Sequence, residues 1–133
     1  MSLLVGIARR TGVSGYPGDG ANRWPAVHRL DAAHVFRLAV ESAPAGARLH
    51  AVGEEGIQVR KIAEAIGRGL GVPTISIQSE RLAEHFGFLG AFFALDCPAS
   101  SAATQELMRW RPAQTGLIAD IEQGRYFQTH PQM

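Results

Sequence analysis

The chain has 133 residues, 46% of them hydrophobic and 19% charged, with 13 basic and 12 acidic side chains and a formal net charge of +1. Such a chain is long enough to bury a real core, and its composition fits a soluble globular protein rather than a disordered one. The near-balanced charge gives no electrostatic case for nucleic acid or an anionic membrane as partner.

The lone Cys97 excludes an internal disulfide and suits a reducing compartment. No apolar run approaches the roughly 20 residues that span a bilayer. The opening stretch from Ser2 to Ala8 has no basic region before it and ends in Arg9-Arg10, a poor signal peptide. A cytoplasmic location is expected.

One domain is predicted over residues 1–133, in three stretches. Residues 1–25 read as a helix stub followed by a Gly-rich loop, since Gly, Pro, Asp and Asn dominate from Thr11 to Pro25. Residues 26–78 read as helix, strand, helix, strand. Asp31 is placed as an N-cap, and Val35, Leu38 and Ala39 form an apolar stripe behind it. Pro44-Ala45-Gly46 ends that helix, and Arg48 to Val52 is a short strand closed by Gly53-Glu54-Glu55-Gly56.

The clearest element follows. Val59, Ile62, Ala63, Ile66 and Leu70 recur at helical spacing, while Arg60, Glu64 and Arg68 are spaced to pair across single turns. Gly69 and Gly71 stop this helix. Pro73 to Gln78 alternates as a half-buried strand does. In residues 79–133, Ser79 opens a short helix through Phe86, Asp96 or Ser100 opens one through Met108, and Thr115 opens a last one to about Phe127. The fold class is α/β: helices with a small, partly parallel sheet.

Thr11-Gly12-Val13-Ser14-Gly15-Tyr16-Pro17-Gly18 matches T-G-x-x-G-x-x-G, a dinucleotide-binding pattern. A working loop of this kind leaves a buried strand and enters a helix whose N-terminus holds the pyrophosphate. Here Arg9-Arg10 precede it, and Gly18, Gly20 and Pro25 interrupt what should be the following helix. The companion catalytic pair, a tyrosine with a lysine four positions on, is absent: Gly20 follows Tyr16 and His130 follows Tyr126 at that distance, and Ile57 precedes Lys61. No catalytic residue and no cofactor site are therefore expected in this chain.

The five histidines, His28, His34, His50, His85 and His130, have no metal-ligand spacing, so no metal is expected. Cys97 reads as a small buried residue, and Ser100 and Ser101 as helix-start residues. Phe86, Phe88, Phe92, Phe93 and Leu95 read as core or interface.

Val27-His28-Arg29-Leu30-Asp31 resembles the "VHVDD" turn of NAD(P)-dependent epimerase/dehydratase-like extended short-chain dehydrogenases. Leu107-Met108-Arg109-Trp110-Arg111-Pro112, followed by Asp120-Ile121-Glu122-Gln123-Gly124-Arg125-Tyr126, resembles that family's closing "LGWxP" helix pair. The landmarks come in the family's order and cover nearly the whole chain, corresponding to the last third of a typical member. The resemblance implies a C-terminal, substrate-side portion without the Rossmann cofactor half. It also implies that Asn22, Arg23, Trp24 and His28 border a substrate cleft. Nucleotide-sugar members often carry an arginine where this chain has Trp24, which favours a less polar ligand.

The function expected from the resemblance is a non-catalytic remnant that self-associates, most simply as a dimer, and binds a small apolar molecule. The alternative is a subunit that completes an NAD(P)-dependent oxidoreductase or epimerase with a separate Rossmann-type chain. A third reading takes the Gly12–Gly18 loop as a dinucleotide binder.

Overall fold

A computed structural model of the chain describes residues 1–123 and 126–127. Its organising element is the helix α3, Val59–Leu70, which lies after α1 (Ser2–Thr11), β1 (Ser14–Pro17), β2 (Arg23–Ala26), α2 (Arg29–Ser42) and β3 (Glu54–Gln58). Val59, Ile62, Ala63 and Ile66 are all buried, as their spacing predicts. Each of the larger three contributes roughly 1.5–3 kcal/mol by leaving water. Gly71 caps the helix in the left-handed conformation. Arg60 pairs with Glu64 at 3.1 Å, but Arg68 reaches Glu122 at 2.9 Å rather than Glu64.

After α3 come β4 (Thr74–Ile77), a 3-10 turn at Ser79–Arg81, α4 (Leu82–Phe86), α5 (Leu89–Phe93), α6 (Ala102–Met108) and α7 (Leu117–Gln123). The fold is mixed α/β, with one parallel and one antiparallel strand pair. β1 runs parallel to β4 in the register Ser14↔Thr74 to Pro17↔Ile77. β2 runs antiparallel to β3, with Arg23 opposite Gln58 and Ala26 opposite Glu54. The register shifts between Trp24 and Ala26, where Pro25 has no N–H to give to the ladder. None of the helices of the described residues is long and apolar enough to cross a membrane.

Several expectations from the sequence need correction. The stretch from Thr11 to Pro25 is not one loop, for it holds β1 and β2. Each is only four residues long, and their Gly and Pro content hides a pattern that pairing with distant strands supplies.

The predicted strand from Arg48 to Val52 is irregular chain, and the strand lies at Glu54–Gln58, where a turn was expected. The main chain of 48–52 finds its partners on α6 instead. His50 N–H donates to Thr104 Oγ1 at 2.8 Å, and Ser101 Oγ donates to the Val52 carbonyl at 2.5 Å.

The core falls into three clusters. Val5, Ala8, Ile57, Ile62, Ala65, Ile66 and Ile121 join α1, α3 and α7. Ile7, Val59, Ile77, Phe86 and Phe93 join α1 to α4 and α5, and Leu4 borders both groups. Val35, Met108 and Trp110 form the third, flanked by Leu38, Leu49 and Ala51. The apolar stripe of α2 is therefore covered from within the chain.

Asp31 does not cap α2. His28 is the N-cap, and Asp31 is buried three residues later. Its two carboxylate oxygens accept the N–H groups of Ala113 and Gln114 at 2.9 and 3.0 Å, and its carbonyl accepts Trp110 Nε1–H at 3.1 Å. This clamp fixes the segment between α6 and α7. Trp110 is fully buried, and Arg109 before it takes the left-handed conformation that ends α6. The predicted extension of the last helix through Gly124 and Arg125, and the position of His130, lie outside the described residues.

Candidate functional site

β2 and the residues flanking it carry the four residues singled out in the sequence, and the structure divides them. Asn22 Nδ2 donates to the carbonyls of Phe93 and Leu95 at 2.8 and 2.9 Å, and Trp24 Nε1 donates to Leu95 at 3.0 Å. The Trp24 ring meets Phe93 edge-on at 5.5 Å. Arg23 holds Asp96 through its backbone N–H at 2.7 Å and its guanidinium at 3.3 Å. That side-chain bond, then the backbone one, draws the Asp96 carboxyl below the usual range. Asn22, Arg23 and Trp24 thus strap the segment 93–97 to β2. The polar groups of all three have partners within the chain.

His28 stands apart, at the other end of β2. Its Nδ1 accepts the Leu30 N–H at 3.1 Å and so caps α2. An Nδ1 that accepts leaves the proton of the neutral ring on Nε2. His28 lines a groove of about 830 Å³ between α1, α7 and the start of α2. Gly6, Ala26, Val27 and Leu117 give the groove apolar surface, and Arg9, Arg29, Glu54, Asp120 and Tyr126 bring charge and hydroxyl groups to it. Its size falls in the range of small-molecule sites.

Both carboxylates in the groove already have internal partners. Glu54 Oε1 accepts the Leu117 N–H at 2.6 Å and so caps α7, which was expected to start from Thr115. Asp120 Oδ2 accepts the Tyr126 hydroxyl at 3.1 Å. Burial, then this hydrogen bond, pushes the Tyr126 phenol above its ordinary range. Arg9 Nη2 donates to the Phe127 carbonyl at 3.1 Å. Among the described residues Arg29 has no ion pair or side-chain hydrogen bond of its own.

Sequence reasoning reached His28 but not Arg9, Glu54, Asp120 or Tyr126. Arg9 and Glu54 lie far from His28 in the chain, whereas Asp120 and Tyr126 carried a signal only as part of the closing helix pair and Arg29 only as the neighbour of His28.

The Gly-rich loop has a structural part to play. Gly12 ends α1 in the left-handed conformation, and the chain then enters β1 rather than a helix. The carbonyls of Gly20 and Asn22 accept the N–H groups of Arg60 and Val59 at 3.1 and 2.9 Å, which meets the open first turn of α3. The Arg60 guanidinium lies 5.3 Å from the Tyr16 ring centre. Among the described residues no group of three or more His, Cys, Asp or Glu side chains could hold a metal ion.

Two apolar sets face solvent. Leu30, Phe36 and Val40 stand on α2, with Val40 89% exposed, and Phe88, Phe92 and Leu95 stand around α5. The predicted aromatic patch is thereby split, because Phe86 and Phe93 are buried. Cys97, expected to be buried, is exposed.

No protein-family model matches the chain, and no solved structure does. Among curated proteins it is similar to an uncharacterized protein of Schizosaccharomyces pombe, 48% identical over 125 residues, which are 94% of this chain and 42% of that protein. It is also similar to an uncharacterized protein of Saccharomyces cerevisiae, 47% identical over 119 residues, 90% of this chain and 40% of that protein. The chain thus spans about two fifths of the length of the curated relatives it matches.

Proposed function

We propose that this chain is the substrate-side portion of an extended short-chain dehydrogenase-like protein, and that in isolation it binds a small molecule without catalysing oxidoreduction. The observation that carries the reading is the position of the Val27–Asp31 turn, whose His28 opens onto the groove of about 830 Å³. In the family the corresponding turn borders the substrate cleft. Tyr126 supports the non-catalytic half of the reading. A catalytic phenol needs a neighbouring cation strong enough to lower its pKa, whereas at Tyr126 burial and Asp120 outweigh the opposing pull of Arg29.

The isolated chain self-associates, most simply as a two-fold dimer, to cover the apolar sets on α2 and α5. It acts in the cytoplasm, where an exposed Cys97 thiol stays reduced.

A second reading, a subunit that completes an NAD(P)-dependent enzyme with a separate Rossmann-type chain, draws on one specific observation. More than half of each relative lies outside the matched stretch. A partner chain supplying such a region would cover the same apolar sets.

The test of the main reading is calorimetric titration of the isolated chain with NAD+ and NADP+, together with a reductase assay. No saturable heat and no turnover are expected. A dissociation constant on the order of micromolar would contradict the reading.

A further inference from the structure

We propose that the groove takes a small organic anion, with its charged head at the Arg29 guanidinium and the His28 Nε2–H and its hydrocarbon part on Val27 and Leu117. The proposal deepens the reading of this groove as a retained ligand site. It is argued from donors and acceptors rather than from ancestry.

The groove holds two cationic and two anionic side chains, so its formal charge does not decide what binds. Their engagement does. Glu54 is tied to the Leu117 N–H and Asp120 to the Tyr126 hydroxyl, at 2.6 and 3.1 Å. Arg29, by contrast, has no ion-pair partner among the described residues, and His28 has Nδ1 committed to the Leu30 N–H. Each carboxylate keeps one oxygen without a partner among the described residues, but at the α2 end of the groove the open groups, on Arg29 and His28, are donors side by side in the sequence.

The 14-residue helix α2 starts at this point, and the buried Asp31 carboxylate in its first turn offsets the positive end of its dipole, so the two side chains supply the attraction. A guanidinium fork suits the paired oxygens of a carboxylate or the oxygens of a phosphate monoester. The apolar surface from Val27 and Leu117 explains why the ligand should also carry a chain or ring. An inorganic ion would leave that surface wet.

The experiment is a titration of the isolated 15N-labelled chain followed by amide shifts, with hexanoate, hexyl phosphate, hexylammonium and hexanol as probes. Hexanoate or hexyl phosphate should shift the amides of residues 27–30 and 117 with a dissociation constant on the order of millimolar, as befits so few atoms. The stronger of the two identifies the head group. Hexylammonium and hexanol should not saturate.

Arg29→Gln should weaken the anion by roughly tenfold, the worth of one charge-assisted contact. His28→Asn keeps a side-chain cap on α2 but removes the Nε2 donor, and should weaken it several-fold with the amide spectrum otherwise unchanged. Equal binding of hexanol and hexanoate, an unaltered affinity in Arg29→Gln, or shifts confined to other residues would overturn the proposal. Dinucleotide binding by the isolated chain would instead sink the family reading and leave this one standing.

Discussion

The Asp31 carboxylate holds two backbone N–H groups from a buried position, so its loss orphans two donors at once. Ala113 and Gln114 are themselves exposed, so the cost is that of lost hydrogen bonds to a charged acceptor, roughly 1.5–3 kcal/mol each and less where water replaces them. Asp31→Ala should therefore lower the melting temperature sharply, while Asp31→Asn, which keeps one acceptor, should cost less. A thermal unfolding series checks this, and equal melting temperatures for all three proteins would refute the clamp. The sequence marks Asp31 as a residue near a helix start, but its partners lie more than 80 positions away. No local pattern announces that.

His85 belongs to the same scale. Its Nε2 is buried without a hydrogen-bond partner in the structure. Burial, then the Arg81 and Arg10 guanidiniums, hold its pKa below the ordinary 6.5, against an opposing pull from Glu84. With the folded-state pKa depressed, the unfolded chain takes up the proton first. The stabilising contribution is whole above about pH 6.5 and shrinks as pH falls below it. Between about pH 7 and about pH 5.5 the parent protein should lose more stability than His85→Gln does, read by denaturant midpoints. Parallel pH profiles for the two would show that His85 does not contribute.

Among the elements, α3 was legible because five apolar residues at helical spacing leave few alternatives. Its N-terminal setting was not. The Gly20 carbonyl meets the Arg60 N–H, and Gly20 itself has φ +70°, with the Arg60 Cα only 3.1 Å from where a Cβ would stand. Gly20→Ala should cost roughly 1–2 kcal/mol from left-handed strain alone, before the crowding is added. An unchanged denaturant midpoint would mean that the turn is free to reshape.

The strands were the weakest part of the sequence reading, for a physical reason. Segments of four or five residues owe their structure to what they pair with. Arg48 to Val52 has the apolar pattern of a strand, yet Thr104 and Ser101 take up its polar groups first. With no strand there, 48–52 offers no ladder edge to a second chain.

At the scale of the whole molecule, exposed apolar side chains are what remain of the case for self-association. Leu30, Phe36 and Val40 on α2, with Phe88, Phe92 and Leu95 around α5, are exposed, and a dimer that covered them would take apolar area out of water. Sedimentation at concentrations on the order of micromolar should report at least twice the chain mass of 14.3 kDa. A monomer that stays soluble at high concentration would mean these faces need no cover.

The site was legible only in part. His28 came from a motif, whereas the groove it faces is made by α1 and α7, which meet through the α3 core. Asn22, Arg23 and Trp24 carried the same signal as His28, since polar tips in a Gly-rich loop look alike whether they bind a ligand or a neighbouring segment.

The most direct test of the account is to measure NADPH binding to this chain and to the longer Schizosaccharomyces pombe relative side by side, by the change in nicotinamide fluorescence. The account predicts saturable binding by the relative, with a dissociation constant on the order of micromolar, and none by this chain. Binding by this chain, or no binding by the relative, would contradict it.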